Sequence, residues 1–589
     1  MSTGRRPVWL GVDVWFSFFI TGHPFSLGDL RRFGRNHLDE SSMTLESSGR
    51  PWLNSWPKYV PHSLDYPNLS LAELLRRAAT ISTEKPAIYY GGGAISYREL
   101  DALANRFGAV LQTLGVKKGD RVALYLPNLP QFVFAYYGAL RVGAIVVTAS
   151  PLYKERELAH ILTDSGAKVL VCLDKLYSYV QSIRERTPIS YVFTTSITDY
   201  ILRSPTSPVL PNAMNLRTFL AESSDPLRPV EISPKSDLAL LQYTGGTTGA
   251  PRGAMLTHYN LVVNAVQFSS WLGIRSGAEV HMSVLPFFHI YGMTVAMNVP
   301  VYTSSPMVLI PDGRDIGGIL QAVDRYKPTV FCGVPATYIA LINQPETGQH
   351  GMHSIRVCVS GASPLPMRVQ REFEKLTGGR LVEGYGLTET SPVTHVNPLD
   401  DPSKNRPGSI GIPISDTEAK IVDLELGTNE LAAGGVGELV VRGPQVMVGY
   451  WKNDGETRAV LRDGWFHTGD IAVMEPDGYF RIVDRKKDMI NVSGLKVWPR
   501  EVEEVLYEHP AIKEVTAVPI SDPRSGEAVK AFVVLKEEFQ GKVVAADIIA
   551  FCKDKIADYK APKVVEFRDA LPKSSVGKIL RRELRGQPS

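Results

Sequence analysis

Cysteine is scarce. The 589 residues include four, Cys172, Cys332, Cys358 and Cys552, all far apart and none in a CxxC pair. That spacing excludes a disulfide framework and a cysteine zinc site, and it fits a reducing compartment. An excess of either charge is lacking too, because 64 Lys+Arg against 61 Asp+Glu leave +3. So small a balance gives no global field for holding a polyanion, and no nucleic-acid partner is expected. Long apolar runs are missing. The most apolar N-terminal stretch, residues 8–20, follows Arg5 and Arg6, is interrupted by Asp13, and is too short to span a bilayer as a helix. No small-residue cleavage pattern accompanies it, so neither export nor a membrane anchor is expected. Neither a repeat of about 20 to 50 residues nor a long low-complexity tract occurs, which excludes solenoids and propellers.

What is present is globular. With 44% hydrophobic and 21% charged residues the chain can bury large cores, and its length favours several folding units. Residues 1–50 mix Gly, Pro, Ser and charge without periodicity and read as an N-terminal extension of uncertain role, with Met43 as an alternative start. From about residue 70 the pattern becomes regular. Ser96 and Glu99 make a capping box, and Leu100, Leu103, Phe107, Leu111 and Leu114 follow as a helical stripe that ends at Gly115. Strand-like 122–126, helix-like 131–141 and strand-like 144–148 come next. Strand 238–243 leads into a Gly/Thr loop and a helix beginning near Thr257, and 330–334 and 357–360 are short apolar strands. Beyond about residue 405 β-type alternation takes over, as in 438–442. A smaller unit begins near 484–487, with a helix carrying Val502, Val505 and Leu506 on one face, a strand 529–535, a helix from about Ala545 and a basic tail. Alternating strands and helices predict mostly parallel sheets covered by helices, with functional groups on loops at strand ends.

Two loops carry the chemistry. Thr244-Gly245-Gly246-Thr247-Thr248-Gly249, followed by Arg252, combines glycines that let backbone N–H groups approach an anion with hydroxyl donors and a fixed cation. Such a loop suits a polyphosphate, yet it contains no Walker A string. The second, Gly384-Tyr385-Gly386-Leu387-Thr388-Glu389-Thr390, brings together a ring, hydroxyls and one carboxylate, each of use at a nucleotide and its cation.

These segments, together with 573–584 (KSSVGKILRREL), resemble the signatures of the acyl-adenylate-forming superfamily, which contains acyl-CoA synthetases, peptide-synthetase adenylation domains and beetle luciferases. The resemblance runs from about residue 51 to 586, and its wording looks most like bacterial-type long-chain fatty-acid CoA ligases. Arg252 replaces the family's usual lysine, which keeps the charge and alters donor geometry. The resemblance implies an α/β fold: a large domain of mixed α/β sheets plus a distorted β-barrel over 51–485, and a small mobile α+β domain over 486–589. It implies ATP and CoA as co-substrates, Mg²⁺ held by Glu389, and a fatty acid ligated through an acyl-AMP intermediate.

Residue by residue, the match makes Lys578, Thr388 and Glu389 catalytic. Tyr385 would stack on adenine between Gly384 and Gly386, Gly361-Ala362-Ser363 would border the adenine edge, and Asp470 and Arg485 would serve the ribose. His289, Met293 and Gly386 would border the acyl pocket, Lys487 would be the interdomain hinge, and Ser493 and Gly494 would face CoA. His467 reads as a packed polar side chain. Competing readings are an aryl or short-chain ligase, a luciferase-like oxygenase, a peptide-synthetase module, and a non-catalytic sensor that would have lost Lys578, Glu389 or Asp470. A cytoplasmic location is expected. Peripheral contact at the inner membrane surface and a homodimer stay open.

Overall fold

Strand residues that alternate between two different cores set the architecture. In the computed structural model, which describes residues 50–201, 208–223, 225–244, 251–493, 495–574 and 579–585, Val122 and Leu124 of strand Arg121–Tyr125 point into one core. Ala123 and Tyr125 of the same strand point into another. Val357 and Val359 share the first core, whereas Cys358 belongs to a third. Sheets buried on both faces need helices on both, and near-continuous apolar runs such as VALY and VCVS are what such strands require. The extension 1–49 lies outside the described residues.

The first sheet orders its strands as Gly449–Tyr450, Arg252–Thr257, Leu238–Thr244, Ile145–Thr148, Arg121–Tyr125, Val169–Leu173, Tyr191–Thr195 and Met214–Asn215. Its pairs from Leu238–Thr244 to Met214–Asn215 are parallel, and the Arg252–Thr257 edge is antiparallel. A second group runs Gly93–Ser96, Pro86–Tyr90, Met307–Leu309 and His281–Ser283. Bridges at Val330 carry it on to Val357–Ser360, Arg380–Gly386, Val393–Val396 and Ile412–Pro413. Between the two, helix Pro130–Arg141 is buried at every residue. The capping box forms as expected, with the Ser96 side chain accepting from the Glu99 N–H at the start of helix Tyr97–Thr113.

Two sequence expectations change. The Gly/Thr loop is not followed directly by a helix: Arg252–Thr257 intervenes as a strand, antiparallel to Leu238–Thr244, with Thr244 opposite Arg252. The helix His258–Trp271 begins only after it, capped by Thr257. Residues 330–334 make single bridges at Val330 and Gly333 rather than a full strand.

Farther along, Glu418–Val422, Val436–Arg442, Leu461–Arg462, Trp465–Met474 and Phe480–Arg485 form an antiparallel sheet. The last segment has its own sheet, Leu495–Val497, Ile490–Val492, Gly526–Leu535, Ile512–Asp522 and the parallel Val564–Phe567. Val502 and Leu506 from helix Pro499–Tyr507 and Ile548 and Cys552 from helix Ala545–Lys555 cover one face. Leu571 and Leu584 cover the other. Among the described residues, none before Ile490 enters these two cores. Among the described residues no helix is long and apolar enough to cross a membrane.

Candidate active site

Two carboxylates, Asp470 and Glu389, each accept a tyrosine hydroxyl where the first two sheets abut the antiparallel one. Strand Arg380–Gly386 ends in Gly384-Tyr385-Gly386, and a Cβ on Gly386 would stand 2.0 Å from the Pro392 carbonyl oxygen. Only glycine lets the strand turn that tightly into the short helical turn Thr388–Thr390, which carries Glu389. Tyr385 donates its hydroxyl to Asp470 Oδ2 at 2.6 Å, and Asp470 Oδ1 pairs with Arg485 Nε at 3.1 Å. Asp470 and Arg485 are directly opposite each other on neighbouring strands, so the register itself makes the pair. Asp470 holds the Arg485 guanidinium above its ordinary pKa, and burial pushes the Tyr385 phenol far up, so Arg485 stays a cation and Tyr385 a neutral hydroxyl donor at physiological pH.

Glu389 is held from a different direction. Tyr450, on the edge strand beside Arg252–Thr257, donates its hydroxyl to Glu389 Oε1 at 2.7 Å, and the Glu389 carbonyl accepts from the Met447 N–H at 2.8 Å. Burial raises the Glu389 pKa and the Tyr450 hydroxyl opposes that rise. The guanidinium of Arg252 lies 5.7 Å from the Tyr450 ring centre, with Nη1 2.8 Å from Glu456 Oε2. Arg252 is thus tied to the Glu389 end of the site through Tyr450. Of the phosphate-type loop, Thr244 and Arg252 are described. Gly245, Gly246, Thr247, Thr248 and Gly249 lie outside the described residues.

Gly361, Ala362 and Ser363 follow strand Val357–Ser360, and Ala362 is left-handed at φ +68°. A Cβ on Gly361 would be 3.0 Å from the Tyr291 ring, and the Tyr291 hydroxyl donates to the Val359 carbonyl at 2.9 Å. Tyr291 therefore locks segment 286–293 against the strand beneath. On that segment Phe287 and Met293 are fully buried in the shared core, while Phe288 and His289 are half-buried. His289 Nδ1 accepts the Tyr291 N–H at 3.2 Å and so starts the short helix Ile290–Met293. Gln242 Nε2 and Thr148 Oγ1 hold the Phe288 carbonyl at 3.0 and 2.9 Å. His467 is buried 3.7 Å from Glu438 Oε2, with its pKa lowered by burial, which fits packing.

A family model described as AMP-binding enzyme matches residues 75–451, and one described as AMP-binding enzyme C-terminal domain matches 501–578. The chain belongs to the AMP-binding enzymes. Among curated relatives of this AMP-binding enzyme is the long-chain-fatty-acid–CoA ligase of Bacillus subtilis, 44% identical over 91% of this chain and 98% of the relative. The corresponding ligase of Salmonella typhimurium is 42% identical over the same shares. Among solved structures, ATP-bound MatB from Rhodopseudomonas palustris is 30% identical, covers 88% of this chain and 98% of its own, and superimposes with a TM-score of 0.78. The apo form of MatB, at the same coverage, scores 0.69.

Past Arg485 the AMP-binding enzyme turns into its C-terminal segment. The side chain of Lys487, all of Gly494, and Lys578 lie outside the described residues. Ser493 is left-handed at φ +53° in the turn joining Ile490–Val492 to Leu495–Val497. Sequence reasoning missed Tyr450, Glu456, Asp484, Arg500 and Arg581. Asp484 accepts the Arg500 N–H at 2.7 Å and Arg581 Nη1 at 2.9 Å. The fragment Gly449-Tyr450-Trp451 has an aromatic pair after a glycine as its signal; Arg581 had none within a basic tail.

Proposed function

We propose that this AMP-binding enzyme is an ATP-dependent ligase that joins a medium- to long-chain fatty acid to coenzyme A. The fatty carboxylate attacks the α-phosphorus of ATP, pyrophosphate leaves, and the CoA thiolate then attacks the acyl carbon as AMP departs. The observation that carries this reading is the convergence of Tyr385, Asp470 and Arg485 from three strands at one corner, in a chain aligned over 91% of its length with a long-chain ligase. Asp470 presents a carboxylate to vicinal ribose hydroxyls and Arg485 adds a donor. Tyr385, packed edge-on against His395, offers an adenine-sized face. Thr388 and Thr244 add hydroxyls for phosphate oxygens, and Lys578 supplies the cation that meets charge growing on the α-phosphate.

The reading also assigns Mg²⁺ to Glu389. Its donor set fits a hard cation: one half-buried carboxylate, with the Tyr450 hydroxyl fixing Oε1. An ion there would draw its other ligands from ATP phosphates and water, as Mg²⁺ does. When bound it would neutralise the polyphosphate.

We assign the segment after Lys487 to a lobe that turns between the two half-reactions, with Ser493 and Gly494 facing CoA in the second. The better superposition on ATP-bound than on apo MatB supports reading the described arrangement as the adenylating one. The acyl preference is tested by AMP release from purified protein, ATP and CoA with acetate, octanoate, palmitate, benzoate and coumarate. Octanoate or palmitate should turn over fastest. Faster turnover of acetate, benzoate or coumarate than of both fatty acids would overturn the substrate class.

A further inference from the structure

Asp484 is the next-to-last residue of strand Phe480–Arg485, the last before Lys487, and its side chain is only 2% exposed. Its Oδ1 accepts the Arg485 N–H at 2.7 Å and Arg581 Nη1 at 2.9 Å; its Oδ2 accepts the Arg500 N–H at 2.7 Å. Arg500 stands in the first turn of helix Pro499–Tyr507, so the carboxylate also occupies the end of that helix where free N–H groups gather. A third tie comes from Arg500 Nη1, 2.8 Å from the Ile482 carbonyl. Strand Phe480–Arg485 thus grips the C-terminal segment at two points, Ile482 and Asp484.

Arg581 has two kinds of partner. Besides Asp484 it reaches Glu503 Oε2 at 2.6 Å and Asp488 Oδ2 at 3.4 Å, and Arg585 adds a bond to Asp488 at 2.6 Å. Glu503 and Asp488 follow Lys487 in sequence, as Arg581 does, and would travel with it in any rotation about that residue. The bonds to Asp484 would not survive. Arg581 also lies three residues beyond Lys578, so its anchor bears on the tail that delivers the lysine.

We propose that Asp484 is a positioning residue for the adenylation step: by holding Arg581 and the Arg500 N–H across the hinge, it latches the C-terminal lobe in the adenylating orientation. This rests on the ligase reading for what the orientation does, though not for the latch itself. Rotation to the thioester-forming orientation requires Asp484 to give up both lobe donors at once. The charge makes the hold strong, because hydrogen bonds to an ionised carboxylate exceed neutral ones.

The test uses full-length protein with Asp484→Asn, Asp484→Glu and Arg581→Lys. The native cysteines are all buried, so fluorophores placed at Met367→Cys and Val544→Cys, both exposed positions, report lobe orientation by energy transfer. Asp484→Asn should broaden the transfer distribution in the presence of ATP. Pyrophosphate release without CoA should fall roughly tenfold relative to conversion of supplied acyl-AMP to acyl-CoA. Arg581→Lys, which keeps the charge and loses the fork, should do the same more weakly, and Asp484→Glu should recover part of both signals. An unchanged transfer distribution in a folded Asp484→Asn protein overturns the latch whatever the activities do. Equal loss in both half-reactions, or no recovery with glutamate, overturns the positioning role. If the protein forms no acyl-AMP with any acid, the ligase reading fails while the transfer measurement still decides the latch.

Discussion

At the scale of single residues, Glu383, one position before Gly384, is a carboxyl displaced well away from its usual behaviour beside the site. Burial pushes its pKa up to about 7; Arg500 and the Leu365 N–H, 3.1 Å from Oε2, oppose the rise, and Glu504 adds to it. An acid whose folded value exceeds its unfolded one binds protons more tightly when folded. Its contribution to stability is present at low pH and is lost as pH climbs from the ordinary carboxylate range through about 7. Glu383→Gln copies the protonated form, so its thermal midpoint should exceed the wild type's by a margin that grows between about pH 5 and pH 8. A margin that stays constant with pH would refute the assignment. Gly386 makes the opposite kind of demand, since an added Cβ meets a backbone carbonyl that cannot swing aside. Gly386→Ala should therefore cost more than about 2 kcal/mol in denaturant unfolding, against the usual ~1 kcal/mol of a point change.

Among elements, the caps are the most local features and the easiest to test. Ser96→Ala removes one side of an exposed capping box at helix Tyr97–Thr113 and should lower stability by about 1 kcal/mol while ligation rates stay the same. A loss of activity with unchanged stability would mean that this helix does more than frame the fold. The elements legible in the sequence were those whose pattern is local. Helix Pro130–Arg141, strand Val357–Ser360 and the Ser96 cap each rest on residues within one segment, and nearly all their bounds agree to a residue or two. Strand Arg252–Thr257 was not legible, because RGAMLT has no clean alternation and gains its strand from pairing on both sides. In the site, the resemblance to the adenylate-forming superfamily singled out Tyr385, Asp470 and Arg485, which the fold brings together. Tyr450 and Asp484 escaped because their partners Glu389 and Arg581 are 61 and 97 positions away.

For the molecule as a whole, the proposed alternation of the C-terminal lobe separates two steps that two residues should serve unequally. Lys578→Ala removes the cation of the first step and should cost several kcal/mol in pyrophosphate release, comparable to about 2.7 to 4 kcal/mol for other preorganised electrostatic contacts, while supplied acyl-AMP is still converted. Lys487→Pro fixes φ at the hinge and should spare pyrophosphate release while slowing thioester formation. Equal damage to both steps in both variants would sink the alternating arrangement. The separate cores described above carry one more consequence. Among the described residues none is shared between the apolar clusters before and after Ile490, and Ile482 and Asp484 are large-lobe groups that receive Arg500 and Arg581. The C-terminal lobe is for that reason a transplantable cassette: a graft cut at the crossing keeps each apolar cluster whole and has to match the polar acceptors Ile482 and Asp484 and the carboxyl of Glu383.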